Sequence, residues 1–389
     1  MMIKGPTTFV ALVLLPLLAS AADAPALAPL QPPDPPEIHA SAYILEDFQT
    51  GTVLASKNAD EQLPPASLTK IMTSFIAARE LASGRISLND EVPVSVHAWQ
   101  AEGSRMFIRE GTTVKLGDLL QGIIVQSGND ASIAVAEYIA GSEGAFADMM
   151  NQQAQALGMT NTHYMNAEGL PKDGHHSTAR DLATLTRALI RDFPEHYKLY
   201  SERTFTYNGI EQPNRNRLLW RDRTVDGVKT GHTAEAGFCL VASAMRDGMR
   251  LISVVMGTDS DEARMRESQK LLAYGFRYFE TPRLYEAGAP LRTAEVWYGD
   301  SDEVSLGVTE PVYVTIPRGR YNDLKAETDI TRVIKAPVEK GQKCGQLRVL
   351  LDDKLVAEVP LVAQDAVAEG GFFKRTWHAI YLFFHELLS

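Results

Sequence analysis

Two apolar runs, Phe238 to Ala244 and Leu251 to Met256, are separated by little more than an Asp247-Gly248 turn. Both are rich in branched side chains, which marks them as central strands of a sheet joined by a tight turn. Just upstream, Val225 to Val228 leads into Lys229, Thr230 and Gly231, a stretch that reads as a strand edge. Near the start of the chain, Tyr43 and Leu45 alternate with smaller or polar neighbours. A turn at Asp47 to Gly51 then leads to Val53 and Ala55, which is a β-hairpin pattern. Helical patterns lie between these strands. Pro64 and Pro65 introduce Leu68, Ile71, Met72, Phe75 and Ile76, and the segment stops at Gly84. The expected fold over residues 38–282 is therefore α/β (α+β), an antiparallel sheet flanked by helices.

The chain has 389 residues, enough for two or three domains. Its formal charge of −11 argues against a sequence-independent grip on nucleic acid, which needs clustered cations to displace counterions from phosphates. Lys4, an apolar run from Phe9 to Ala19 and the small residues Ala19 to Ala22 form the pattern of a secretory signal peptide over residues 1–22. A retained membrane anchor is the alternative, but 11 apolar residues fall short of the roughly 20 that span a bilayer. Residues 23–37 form a proline-rich linker, expected to be extended. Cys239 and Cys344 lie in apparent strands of separate domains, so two buried free thiols are expected rather than a disulfide.

Three short elements carry candidate chemistry. Ser67 and Lys70, three apart at the start of the first helix, share one face and lie within reach of each other. A serine hydroxyl becomes a nucleophile only when a base removes its proton, and lysine serves as that base when burial or nearby cations lower its pKa. Taken alone, a Ser-x-x-Lys match arises by chance in a chain of this length. Sixty residues on, Ser127, Gly128 and Asn129 form a loop between the apolar stretches Leu119 to Val125 and Ala131 to Ile139. Gly128 is expected to make the sharp turn, and the hydroxyl and carboxamide can relay a proton and hold an amide. An ordinary helix-connecting turn would use the same residue types. In the third element, Lys229 and Thr230 can bind a carboxylate, and Gly231 lets a ligand backbone lie along the strand.

In this order the three elements resemble the signature of β-lactamases and penicillin-binding proteins. More closely, the sequence resembles the low-molecular-mass penicillin-binding proteins of the D-alanyl-D-alanine carboxypeptidase family, the penicillin-binding protein 5/6 type, from Ala42 to the C-terminus. The resemblance implies a β-lactamase/transpeptidase-like domain and a serine-type carboxypeptidase that removes the terminal D-Ala from peptidoglycan pentapeptides. Ser67 would be acylated, Lys70 would be its base, and Ser127, Asn129 and Lys229 would assist proton transfer and substrate binding. Thr230, Gly231, His232 and Arg264 would bind substrate, Arg264 meeting its terminal carboxylate. Arg266 lies close enough to compete for that assignment. The backbone N–H groups of Ser67 and His232 would form the oxyanion hole, and the His232 side chain could equally be a spacer. The implied ligands are the stem peptide ending in D-Ala-D-Ala and β-lactam antibiotics. No cofactor and no metal are implied. A DD-endopeptidase, a β-lactamase and a non-catalytic peptidoglycan-binding scaffold are the alternatives, although the Glu-x-x-Leu-Asn pattern of class A β-lactamases is missing.

Residues 158–180 are rich in Gly, His, Asn and Asp and read as a loop over the site. They include His163, Glu168, Asp173, His175 and His176, yet no His-x-x-x-His pair or Cys cluster points to a metal. The role of Glu168 stays open. Residues 283–366 show short alternating strands and turns, expected to form a small β-rich domain that acts as a spacer. In residues 370–389, Phe373, Trp377, Ile380, Phe384 and Leu387 recur at helical spacing opposite Lys374, Arg375, His378, His385 and Glu386. That amphipathic helix is expected to lie on a membrane surface, placing the protein in the periplasm on the outer face of the inner membrane. Packing on the β domain is the competing reading of its apolar face.

Overall fold

In the computed structural model, which describes residues 31–388, strands β1 (Ala42–Asp47) and β2 (Val53–Lys57) form the hairpin read from the sequence. Strands β3 (Val225–Thr233), β4 (Gly237–Arg246) and β5 (Met249–Thr258) follow much later in the chain. They complete a five-stranded antiparallel sheet of order β2-β1-β5-β4-β3, with β3 on the edge. Between β2 and β3 come helices α1 (Lys70–Ala82), α2 (Asn129–Ala140), α3 (Glu143–Ala156) and α4 (Ala179–Asp192), and α5 (Asp261–Tyr278) follows β5. Ser142, Thr178 and Ser260 cap α3, α4 and α5, each hydroxyl accepting a hydrogen bond from the backbone three residues on.

Burial on both faces explains why β4 and β5 are apolar throughout. Cys239, Val241, Ile252 and Val254 pack with Ile71, Met72 and Phe75 of α1 and Leu182 and Leu189 of α4. Leu240, Ala242, Leu251 and Val255 face the other way, onto Met265, Leu271, Leu272 and Phe276 of α5. Each fully buried Leu, Ile, Val or Phe side chain contributes about 1.5–3 kcal/mol relative to exposure. The leader expected at residues 1–22 lies outside the described residues, as does the first half of the proline-rich stretch. Residues 31–37 form neither helix nor strand, but they are tied down: the Tyr274 hydroxyl donates to the Pro33 carbonyl at 2.9 Å.

Beyond Phe279 the chain builds a six-stranded sheet from β6 (Pro290–Trp297), β7 (Glu303–Gly307), β8 (Leu324–Ile330), β9 (Ile334–Lys335), β10 (Lys343–Leu351) and β11 (Lys354–Ala363). The order is β8-β10-β11-β7-β6-β9, antiparallel except for β6 with β9. The segment 312–317 forms two short strands, Val312–Tyr313 and Ile316–Pro317, which pair with different partners. Helix α6 (Phe372–Leu388) ends the described chain. Its polar side is held to the β domain: Lys374 pairs with Asp302 at 2.7 Å, and the Tyr298 N–H donates to His378 Nδ1 at 2.9 Å. Phe372, Phe373, Trp377 and Ile380 remain exposed, so packing on the β domain does not cover that apolar face. No helix among the described residues is long and apolar enough to cross a membrane. Cys239 and Cys344 are free and buried.

One buried carboxylate ties the 106–108 segment to the start of α2 within the helical region. The buried Asp130 carboxylate, in the first turn of α2, accepts hydrogen bonds from the backbone N–H groups of Met106, Phe107, Ala131 (each 2.9 Å) and Ile108 (3.3 Å). Removing the carboxylate strands several buried donors, each costing about 1–3 kcal/mol. Asp130→Ala should therefore lower the free energy of urea unfolding by about 3 kcal/mol or more.

Candidate active site

Ser67 sits in a 3₁₀ turn, Ala66–Thr69, between Pro65 and the first residue of α1. That turn places the Ser67 hydroxyl beside the side chain three residues on, and Lys70 Nζ donates to Ser67 Oγ at 3.2 Å. The amine is 1% exposed and has two further acceptors, Asn129 Oδ1 at 2.7 Å and the Glu168 carbonyl at 2.5 Å. Burial lowers its pKa to about 7, against the opposing fields of Glu168 and Asp130 and with help from Arg215. Burial therefore favours the unprotonated amine next to the hydroxyl.

The Ser127 element faces this pair from the helical region. Its turn differs from expectation. Ser127 itself adopts the left-handed conformation (φ 66°, ψ 36°), whereas Gly128 has an ordinary φ of −61°. The glycine serves a packing purpose instead, because a Cβ there would lie 2.9 Å from Asp130 Oδ1. Asn129 is the first residue of α2 rather than a loop residue. Its carboxamide is oriented at both ends, accepting from Lys70 and donating through Nδ2 to the Glu102 carbonyl at 2.6 Å.

Edge strand β3 closes the third side. Lys229 Nζ donates to Ser127 Oγ at 2.9 Å, and at 2% exposure its own pKa is pushed well down, first by burial and then by Lys70, Arg215 and Arg264. Gly231 packs against the Ser67 turn: a Cβ on it would meet the Pro65 carbonyl at 2.9 Å. The His232 ring is exposed and lies 4.0 Å from the Phe238 ring, centroid to centroid.

Arg264, on α5, is buried at 6% exposure and donates to the Gly231 carbonyl at 2.9 Å, with Asp261 as its ion partner. It lines a cavity of about 520 Å³ together with Gln126, His232, Phe238 and Arg215. Arg215, exposed at this cavity, has no local sequence pattern to announce it. Arg266 points elsewhere and pairs with Glu267 at 2.9 Å.

The loop 158–180 reaches the site through its backbone. Glu168 presents its carbonyl to Lys70, and the Ala167 carbonyl accepts from the Thr73 hydroxyl at 2.6 Å. His175 is built into the structure: the Met165 N–H donates to its Nδ1, so Nε2–H donates to Thr69 Oγ1 at 2.8 Å. Burial pushes that imidazole down to about 4, keeping it neutral. Among the described residues no group of three or more His, Cys, Asp or Glu side chains could hold a metal ion.

The geometry brings together a hydroxyl, two buried amines and the edge strand of the sheet, an arrangement suited to acyl transfer. Comparison with known proteins agrees. The family model described as D-alanyl-D-alanine carboxypeptidase matches residues 30–260, and that of the penicillin-binding protein 5 C-terminal domain matches residues 279–369. The chain is 47% identical over 369 residues to the D-alanyl-D-alanine carboxypeptidase DacC of Escherichia coli, covering 93% of this chain and 92% of that protein. Its fold is similar to that of penicillin-binding protein 5 from Haemophilus influenzae (TM-score 0.83, 43% identity, covering 86% and 99% of the two chains). It is also similar to penicillin-binding protein D2 from Listeria monocytogenes in its ampicillin-bound form (TM-score 0.57, 32% identity, 62% and 98%).

Gly169, in the left-handed region at φ 87°, lies directly under the Ser67 turn, where a Cβ would fall 1.9 Å from the Ala66 carbonyl oxygen. Gly169→Ala must displace that turn. Covalent labelling by a fluorescent penicillin should slow about a hundredfold or more, the scale of an ångström's misplacement of a reacting group. A labelling rate within twofold of wild type would contradict this account of the turn.

Proposed function

Because the chain belongs to the D-alanyl-D-alanine carboxypeptidase family and is a serine hydrolase of that class, we propose that Ser67 is the residue acylated and Lys70 its base. The observation that carries this reading is the buried Lys70 amine, 3.2 Å from the Ser67 hydroxyl and depressed to about 7. Ser67 Oγ attacks the carbonyl between the two terminal D-alanines of a peptidoglycan stem peptide as its proton passes to Lys70 Nζ. The Lys229–Ser127 pair, 2.9 Å apart, stands where a proton can be delivered to the departing amine. The last D-alanine leaves, and water hydrolyses the acyl-enzyme. The backbone N–H groups of Ser67 and His232 stabilise the oxyanion. Thr230 and the Gly231 edge align the peptide, and Asn129 holds the peptide amide as well as orienting Lys70. The cationic cavity of Arg264 and Arg215 receives the terminal carboxylate, with Arg264 also bracing the Gly231 carbonyl. A β-lactam occupies the same cleft and acylates the same serine.

Residues 38–282 form the catalytic unit in this reading, and residues 283–366 set its height above the lipid. The exposed face of Phe372, Phe373, Trp377 and Ile380 supports a helix at 370–389 that rests on the membrane surface. A periplasmic location agrees with the cell-wall activity, and peripheral attachment to the inner membrane completes the proposal.

Mass analysis of products from a D-Ala-D-Ala peptide should show loss of one D-alanine, blocked by penicillin and absent in Ser67→Ala. Product formation by Ser67→Ala would rule out the assignment. The free amine of Lys70 is present above about pH 7 and is lost as pH falls through that value. The acylation rate should therefore drop about tenfold per pH unit on the acid side. A chain truncated after Glu369 should keep full activity on soluble peptide yet no longer sediment with anionic lipid vesicles. Co-sedimentation equal to that of the full chain would exclude the helix as the attachment.

A further inference from the structure

Glu168 holds Lys70 through its backbone carbonyl, and its carboxyl group takes no part in that contact. That carboxyl is buried at 5% exposure, and its Oε2 has no hydrogen-bond partner. Its neighbour is another carboxyl: the Glu143 side chain, in the first turn of α3, meets that of Glu168 within hydrogen-bond reach. The contact is held in place, because Glu143 Oε1 accepts from the N–H of Ala167, the residue just before Glu168. On the far side Lys70 Nζ is bound to the Glu168 carbonyl at 2.5 Å. Two carboxyl groups in contact inside a protein cannot both be ionised, so one must hold a proton.

We propose that Glu168 is a positioning residue that stores the proton Lys70 must give up, and that Glu143 sets on which of the two the proton rests. The exchange is balanced within the pair. One N–H bond of the Lys70 ammonium breaks and one O–H bond forms on the Glu168 carboxylate, giving a neutral amine and a neutral acid. The pair carries no net charge before or after, but burial favours the neutral amine and acid over two buried ions. The Glu143 carboxyl adds to this by disfavouring a second negative charge beside it, which leaves the proton on Glu168 and Lys70 free to receive that of Ser67. Burial and Glu143 together push Glu168 up to about 8, in agreement with this geometry.

The other charged groups around the pair are accounted for. Asp130, on α2, is engaged by four backbone N–H groups. Lys229, on β3, is bonded to Ser127, and Arg215 faces Lys70 from the cavity side. His97, from the short helix Val96–Trp99, lies 3.8 Å from Glu143 and 3.1 Å from Glu137, at the solvent end of the chain of groups.

The test is the second-order rate of Ser67 labelling by a fluorescent penicillin, followed over roughly pH 5 to 9 so as to bracket both groups. It uses the full chain as wild type, Glu168→Gln and Glu143→Gln. Glu168→Gln exchanges a neutral acid for a neutral amide, so the acid limb should stay where it is in wild type. Glu143→Gln removes the charge that keeps Glu168 protonated. Glu168 then ionises, Lys70 retains its proton longer, and the limb should move up by about one pH unit. A purely structural role would lower the rate at every pH without moving the limb. A Glu143→Gln limb that stays in place or moves down, or a Glu168→Gln limb that moves by a full pH unit, would overturn the proposal. Should Glu168→Gln not fold, Glu143→Gln alone decides, an upward shift supporting the proposal and an unmoved limb overturning it. The proposal rests on Lys70 as base. A wild-type rate flat with pH would refute that assignment itself, an outcome distinct from an unmoved limb in Glu143→Gln.

Discussion

A primary amine taken out of water is the constraint around which the rest of the structure is arranged. An isolated ammonium is costly to bury, and the protein meets that cost by letting Lys70 become neutral rather than by pairing it with a direct ion partner. Its hydrogen-bond partners are a carboxamide and a backbone carbonyl, which orient the nitrogen without holding its charge as a carboxylate would. Each partner is fixed in turn from a different part of the chain. Asn129 is held by Glu102, and the 167–168 segment is held by Thr73 on one side and Glu143 on the other. Lys70 is thus positioned by contacts that span almost a hundred residues of sequence.

The sheet supplies the rigid frame for these contacts. Edge strand β3 carries Lys229 and Gly231 against the Ser67 turn, and the absence of a side chain at Gly231 is what permits that approach. From the other direction, Gly169 brings the loop 158–180 up beneath the same turn. Ser67 is therefore clamped between two glycines, one from a strand and one from a loop. Neither clamp belongs to the turn on which it sits. Preorganisation of this kind lets a hydroxyl and its base meet without paying an ordering cost at the moment of reaction.

Local patterns made much of this legible in the sequence. The apolar runs of β4 and β5, the hairpin of β1 and β2, the start of α1 after Pro64-Pro65 and the aromatic face of α6 are all written in neighbouring residues. The pairing of Ser67 with Lys70 follows from helical spacing alone. What escaped has no such periodicity. The turn made by Ser127 instead of Gly128 depends on Asp130 and Met106, which crowd the glycine. Arg215 and Glu143 reach the site from segments whose local composition is that of ordinary surface. Strand β8 is mostly solvent-facing and reads Leu-Lys-Ala-Glu-Thr-Asp-Ile, so its strand character comes from its pairing with β10 rather than from its own residues.

The two thiols carry a further consequence. Cys239 lies in the centre of the main sheet, with burial pushing its thiol up to about 11, and Cys344 lies in the sheet of the second domain. Oxidants attack the thiolate, so once folded neither sulfur offers a reactive form to an oxidising compartment. The exposure is confined to the nascent chain, where a bridge between these two positions would join strands that belong to different sheets. Native folding must outrun that oxidation, which makes the interval before closure of the main sheet the chemically vulnerable one in this protein's life.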